Sequence, residues 1–233
     1  MTESEQRWSS VVAFAGGVGG ARLVDGLDQV LEDDALTVVV NTGDDFEHWG
    51  LRISPDLDTI VYTLAGLSPV ERGWGIEGDT FEVLKEARRR GGNEWFQLGD
   101  RDLATHLFRT RALADGQSLT EVTQALCEQL SVTRPVLPMS DQPSPTEVTT
   151  ANGRVLAFQQ WLVRERAEAE LSRVVSRGRP RVTRQIREAL ETAELLVLCP
   201  SNPYVSIDPI LNVQGIREAI GGTPVVAVSP ILG

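Results

Sequence analysis

Cysteine is scarce. The 233 residues include two, Cys127 and Cys199, far apart and outside any metal-binding spacing, so neither a disulfide framework nor a zinc site is encoded. Both are expected as small buried hydrophobes. Positive charge is also short. Lys and Arg number 22 against 33 Asp and Glu, a formal net charge of −11, which argues against the dense basic surface that a nucleic-acid backbone requires. No apolar run has the length to span a bilayer, and Met1-Thr2-Glu3-Ser4-Glu5 is acidic and polar where a leader peptide is basic and then apolar. The expected location is the cytoplasm, with no membrane and no nucleic-acid partner.

With 41% apolar residues the chain can bury one substantial core, and a single α/β domain is expected. The β-branched runs Val11–Ala15 and Leu36–Val40 flank a helical segment over 21–31, a β-α-β unit. Further helices are predicted over 56–67, 80–90, from 101 or 102 to about 113, and to 130 from a capping box of Ser118 and Glu121. The last third returns to alternation: helix 183–193, strand 195–199, helix 209–220, strand 225–228. The order predicts a doubly wound, Rossmann-like parallel sheet. Between 134 and 160 the texture turns polar and proline-rich, with two β-like runs joined by Asn152-Gly153. A small inserted hairpin and helical lobe, lid-like, is expected around 115–182. The chain reaches Gly233 just past a strand whose following loop would lie on the ligand edge, so a missing C-terminal part is expected.

Chemistry concentrates after the strands. Gly16-Gly17-Val18-Gly19-Gly20 removes every Cβ but one from the turn after the first strand, letting backbone N–H groups approach an anion closely. The turn lacks the Gly-Lys-Ser/Thr of a P-loop, and Arg22 stands where a dinucleotide fingerprint needs its third glycine. After the second strand, Asn41-Thr42-Gly43-Asp44-Asp45-Phe46 offers adjacent carboxylates, hard ligands of the kind Mg²⁺ takes beside substrate phosphates; a solvated turn is the alternative. Asp79, Thr80, Asp100 and Asp102 read first as helix caps. His106, one turn after Asp102, is either that carboxylate's partner or a polar group facing a site. Ser201-Asn202-Pro203 follows a buried-looking strand at the edge where open sheets bind ligands. Trp49, just past the acidic pair, is the tryptophan nearest this chemistry.

The succession of these segments, with Gly78-Asp79-Thr80-Phe81, Leu98-Gly99-Asp100-Arg101-Asp102-Leu103-Ala104-Thr105-His106 and Leu137-Pro138-Met139-Ser140-Asp141, resembles the 2-phospho-L-lactate transferase family, phosphoenolpyruvate transferase variants included. The resemblance implies transfer of a phosphorylated three-carbon acid from a guanosine diphospho-linked donor to the terminal ribityl hydroxyl of the deazaflavin Fo. That is a step in making coenzyme F-420, and it releases GMP. It implies Mg²⁺ as cofactor on Asp44 and Asp45, a donor site of Gly16, Gly17, Val18, Gly19, Gly20, Ser201, Asn202 and Pro203, and a homodimer. The acceptor site it implies comprises Asp45, Phe46, Trp49, Asp79, Thr80, Asp100 and His106, with Asp45 the leading catalytic candidate beside Asp44. A rival resemblance is to the gluconeogenesis-factor group, non-catalytic regulators that bind nucleotide sugars. There a glycine- and serine-rich segment is expected after the acidic pair, where this chain has Phe46-Glu47-His48-Trp49.

Overall fold

The computed structural model describes residues 8–231. Its first strand, β1 (Val11–Ala15), is wholly buried and runs into α1 (Gly17–Val30), which returns the chain to β2 (Leu36–Val40) in parallel with β1. Helix α1 starts four residues earlier than expected, so the glycine run is its first turn rather than a loop before it. A short hairpin follows, β3 (Phe46–His48) and β4 (Leu51–Ile53), turning at Trp49 and Gly50, both at positive φ. Then come α2 (Pro55–Leu64), α3 (Glu82–Arg89), α4 (Asp102–Ala114) and α5 (Leu119–Gln129). Ser118 and Glu121 form the expected capping box of α5.

Strand β5 (Val136–Pro138) pairs with β2, so residues expected in a separate lobe from 115 belong instead to the main body. The appended piece is smaller. It is an antiparallel sheet of β6 (Thr146–Thr150), β7 (Val155–Ala157) and β8 (Leu171–Ser176), in the order β7-β6-β8, with the Asn152-Gly153 turn between the first two. The chain then re-enters the main body through α6 (Arg184–Thr192), β9 (Leu195–Leu198), α7 (Asp208–Leu211), α8 (Ile216–Ile220) and β10 (Val225–Ala227). The helix expected over 209–220 is two short ones: the first ends at Leu211, and Gly215, at φ 93°, resets the backbone just before the second begins.

The central sheet runs β10-β9-β1-β2-β5, all parallel. One face packs Ala13, Val38 and Val40 on Val24, Leu57 and Ile60 of α1 and α2; the other packs Val12, Phe14 and Val39 on Ile186, Leu190 and Ile210. Buried on both faces, the strands read as continuous apolar runs. The chain leaves β1 for β2 on one side and pairs it with β9 on the other. That reversal opens a crevice beyond the carboxyl ends of β1, β2 and β9, where such sheets bind ligands.

Candidate functional site

The crevice is a cavity of ~760 Å³. It is lined by Gly16, Gly17, Val18 and Gly19, with Ser201 and Asn202 beside them, and by the carboxylates of Asp44, Asp56, Asp58 and Asp102. Trp74, Trp95 and Phe96 supply an aromatic wall, and Phe158, Leu162 and Val163 of the small sheet's lobe add further apolar lining.

The glycine turn owes its composition to the loop after β9. A Cβ on Gly19 would lie 2.3 Å from the Pro200 carbonyl oxygen, and one on Gly20 2.6 Å from Ser201 Oγ. Ser201 Oγ accepts from Gly16 N–H at 2.9 Å and donates to the Gly16 carbonyl at 2.8 Å, pinning the two loops together. Gly17 N–H is taken by Asp56 Oδ1 at 2.9 Å. The following amides belong to the first turn of α1, which has no acceptor within the helix, and these remain for an anion. Gly20 packs behind the turn. Asn202 accepts from Tyr204 and Val205 N–H and so starts the wide turn Pro203–Ile207, in which Pro203 does not reach the cavity.

Asn41, at the end of β2, organises the acidic side. Its amide nitrogen donates to Asp56 Oδ2 at 2.9 Å and to the Val205 carbonyl at 3.3 Å, while its oxygen accepts from Gly43 N–H at 2.9 Å. Asp44 is buried, faces the cavity and keeps Oδ1 without a hydrogen bond; Gln159 lies 3.5 Å from Oδ2. Burial first, then the charges of Asp56 and Asp45, hold its pKa well above the ordinary carboxylate range. Burial likewise raises Asp56 to about 6.

Asp45 turns the other way. Its Oδ2 accepts from the Ser54 hydroxyl at 2.7 Å, and it lines a separate cavity of ~210 Å³ with Ser140 and Pro145. Gly43 and Asp44 form a turn in which Asp45 N–H donates to the Thr42 carbonyl at 3.3 Å, and the pair is divided between two cavities instead of converging. Phe46 and Trp49 also miss the main cavity: they pack with Ile53 and Leu98 behind the wall that Trp95 and Phe96 present. Asp79, Thr80 and Asp100 bond to one another's helix ends and do not line it. His106 and Asp102 do.

Four buried residues absent from the expected site complete it: Asp56, Asp58 and Tyr62 on α2, and Arg109 on α4. Arg109 holds both oxygens of Asp58 in a fork, with Nη1 3.1 Å from Oδ2, and also donates to His106 Nδ1 at 3.2 Å. Arginine only donates, so His106 Nδ1 accepts from it and Nε2 is the ring nitrogen turned toward Asp102. That atom lies 3.2 Å from Asp102 Oδ1, and the Tyr62 hydroxyl donates to the same oxygen at 2.7 Å. Burial pushes the Asp102 carboxyl up; His106 and Tyr62 more than offset it, and the pKa falls below the ordinary value. Asp58, Asp102 and His106 lie close enough to hold an ion, yet Arg109 already neutralises Asp58. Of the carboxylates described as lining this cavity, Asp44 keeps a buried oxygen without a hydrogen bond. The available signal was Pro55-Asp56-Leu57-Asp58, two acids in the first turn of an otherwise apolar helix, which passes for dipole compensation.

Solved structures of a UPF0052-family protein from Bacillus halodurans share the fold, one with a TM-score of 0.63 at 20% identity over 94% of this chain and 67% of that one. The phosphoenolpyruvate transferase of Streptomyces griseus is 45% identical over 231 residues, covering 96% of this chain and 73% of its own length. The 2-phospho-L-lactate transferase of Methanosarcina mazei is 41% identical over 225 residues, covering 96% and 74%. The family profile described as 2-phospho-L-lactate transferase CofD matches residues 11–233, and with the glycine turn, acidic loop and Ser-Asn-Pro loop meeting at one sheet edge, the chain belongs to the 2-phospho-L-lactate transferase family.

Proposed function

We propose that this chain moves a phosphorylated three-carbon acid, 2-phospholactate or phosphoenolpyruvate, from a guanosine diphospho-linked donor to the terminal ribityl hydroxyl of Fo, with release of GMP. The observation that carries the reading is the junction, in one cavity, of an anion-binding helix start, an orphaned buried carboxylate and an aromatic wall. In the reaction the ribityl oxygen forms a bond to the phosphorus bearing the acid as the bridging bond to GMP breaks, and the hydroxyl proton is lost to a base.

The α1 amides would hold the donor's phosphates, and the aromatic wall of Trp95 and Phe96 would take the deazaflavin ring. Holding both oxygens in line is the main demand of such a transfer. A donor with two phosphate charges and a carboxylate, entering a cavity lined by four aspartates, needs a countercharge. Asp44, with Asp56 beside it, fits Mg²⁺, which would supply neutralisation of the phosphoryl oxygens. Cytoplasmic location and a homodimer complete the proposal.

The test is incubation with Fo, Mg²⁺ and the guanosine-linked donors, following GMP and a more acidic deazaflavin by chromatography. Asp44→Asn is expected to lower kcat by about 10²-fold or more, and Asp45→Asn by much less. Full activity of Asp44→Asn would refute the assignment; nucleotide-sugar binding without turnover would favour a regulator instead.

A further inference from the structure

Between α2 and α4 the chain makes an excursion over residues 67–100 that includes α3, and none of the α3 side chains is buried. The segment is anchored at its second limb, where Leu98 is buried and Trp95 and Phe96 pack on Phe46, and it supplies Trp74 on one limb and Trp95 and Phe96 on the other to the cavity lining. On its first limb, Gly73 sits at φ +73° where a Cβ would lie 2.4 Å from Val18 Cγ1, so the excursion rests directly on the glycine turn.

Its two limbs are joined by a reciprocal exchange of caps. Asp79, before α3, accepts from the N–H groups of Arg101 at 2.9 Å and Asp102 at 3.1 Å, which start α4. Asp100, before α4, accepts from Thr80 Oγ1 at 2.6 Å and from the N–H groups of Glu82 at 2.9 Å and Val83 at 3.0 Å, which start α3. Each carboxylate thus satisfies orphan amides of the other limb's helix, where an N-cap ordinarily serves its own. Gly99 is cut to fit: a Cβ there would fall 2.1 Å from Asp79 Oδ2.

We propose that Asp79 and Asp100 are positioning residues, a clasp that closes the 67–100 excursion over the cavity and sets its aromatic wall against the glycine turn. Neither carboxylate touches the cavity; both act through Trp74, Trp95 and Phe96. The effect on the acceptor rests on the transferase reading, whereas the clasp itself is read without substrate.

Hydrogen exchange on the whole chain tests it. Asp79→Ala and Gly99→Ala are each expected to raise exchange over 67–100 by about tenfold, the loss of one cap, with α6 and the central strands unchanged. Asp79→Asn, whose one side-chain oxygen still accepts from Arg101 N–H while its NH2 cannot accept from Asp102 N–H, is expected to restore part of the protection lost in Asp79→Ala. In turnover, both damaging variants are expected to raise the KM for Fo by about tenfold while kcat stays within about twofold. Unchanged exchange over 67–100, or a rise spread evenly over the molecule, overturns the clasp. A local rise in exchange alongside a wild type that makes no GMP upholds the clasp and removes the transferase reading.

Discussion

Asp45 keeps a buried carboxylate oxygen, Oδ1, without a hydrogen bond, and burial, which the Ser54 hydroxyl and Arg109 only partly offset, pushes its pKa up to about 8. A carboxyl whose folded pKa lies above its unfolded value binds more protons when folded, so stability is greatest in acid and falls as pH rises. The window runs from the ordinary 3.8 to about 8, and Asp44 and Asp56 share its sign. Metal-free protein is therefore expected to lose stability between pH 4 and pH 8. Asp45→Asn should remove part of that loss, a gain on the order of 1 kcal/mol at pH 8, read by urea unfolding at both ends of the window. Identical pH profiles for wild type and variant would refute the assignment. Cysteine behaves as composition implied: Cys127 and Cys199 are buried, and burial pushes both thiols up to about 12. Iodoacetamide at pH 8 is expected to label neither in the native protein and both in denaturant, as counted by intact mass.

Elements with strong internal signals were legible. The β-branched runs of β1 and β2, the Ser118 and Glu121 box, and the Asn152-Gly153 hairpin each contain their own cause. Contacts made across the chain were not. Nothing local marks Val136–Pro138 as a sheet strand; it is one because Val136 and Leu137 find Val38 and Val39 opposite. The β3–β4 hairpin hid behind an unusual turn, Trp49-Gly50. Adjacent acids look equivalent in the sequence, but the turn at Gly43 and Asp44 sends Asp44 to the main cavity and Asp45 to the smaller one. The glycine turn itself was legible, and its reason is nonlocal. Gly19→Ala is expected to force Pro200 away from α1, costing about 1–3 kcal/mol and raising the donor KM; unchanged thermal unfolding and KM would show the approach to be dispensable.

Across the whole molecule, the crevice floor is held by a charge pair that joins helices far apart in the chain. Asp58 on α2 and Arg109 on α4 are both buried, and their fork ties the element leaving the acidic hairpin to the helix carrying His106 and Asp102. Desolvation would release the Arg109 proton, and the Asp58 charge and hydrogen bonds reverse that, raising its pKa above the ordinary value. A buried pair adds little net stability over an apolar pair, yet removing one member leaves the other uncompensated. Arg109→Met is thus expected to destabilise the protein by about 3–5 kcal/mol, and Asp58→Asn with Arg109→Met to recover much of it. Urea unfolding with an unchanged m-value reads both. A double variant as unstable as the sum of the singles would mean that the two side chains act independently, and that the floor is held by packing around them rather than by their charges.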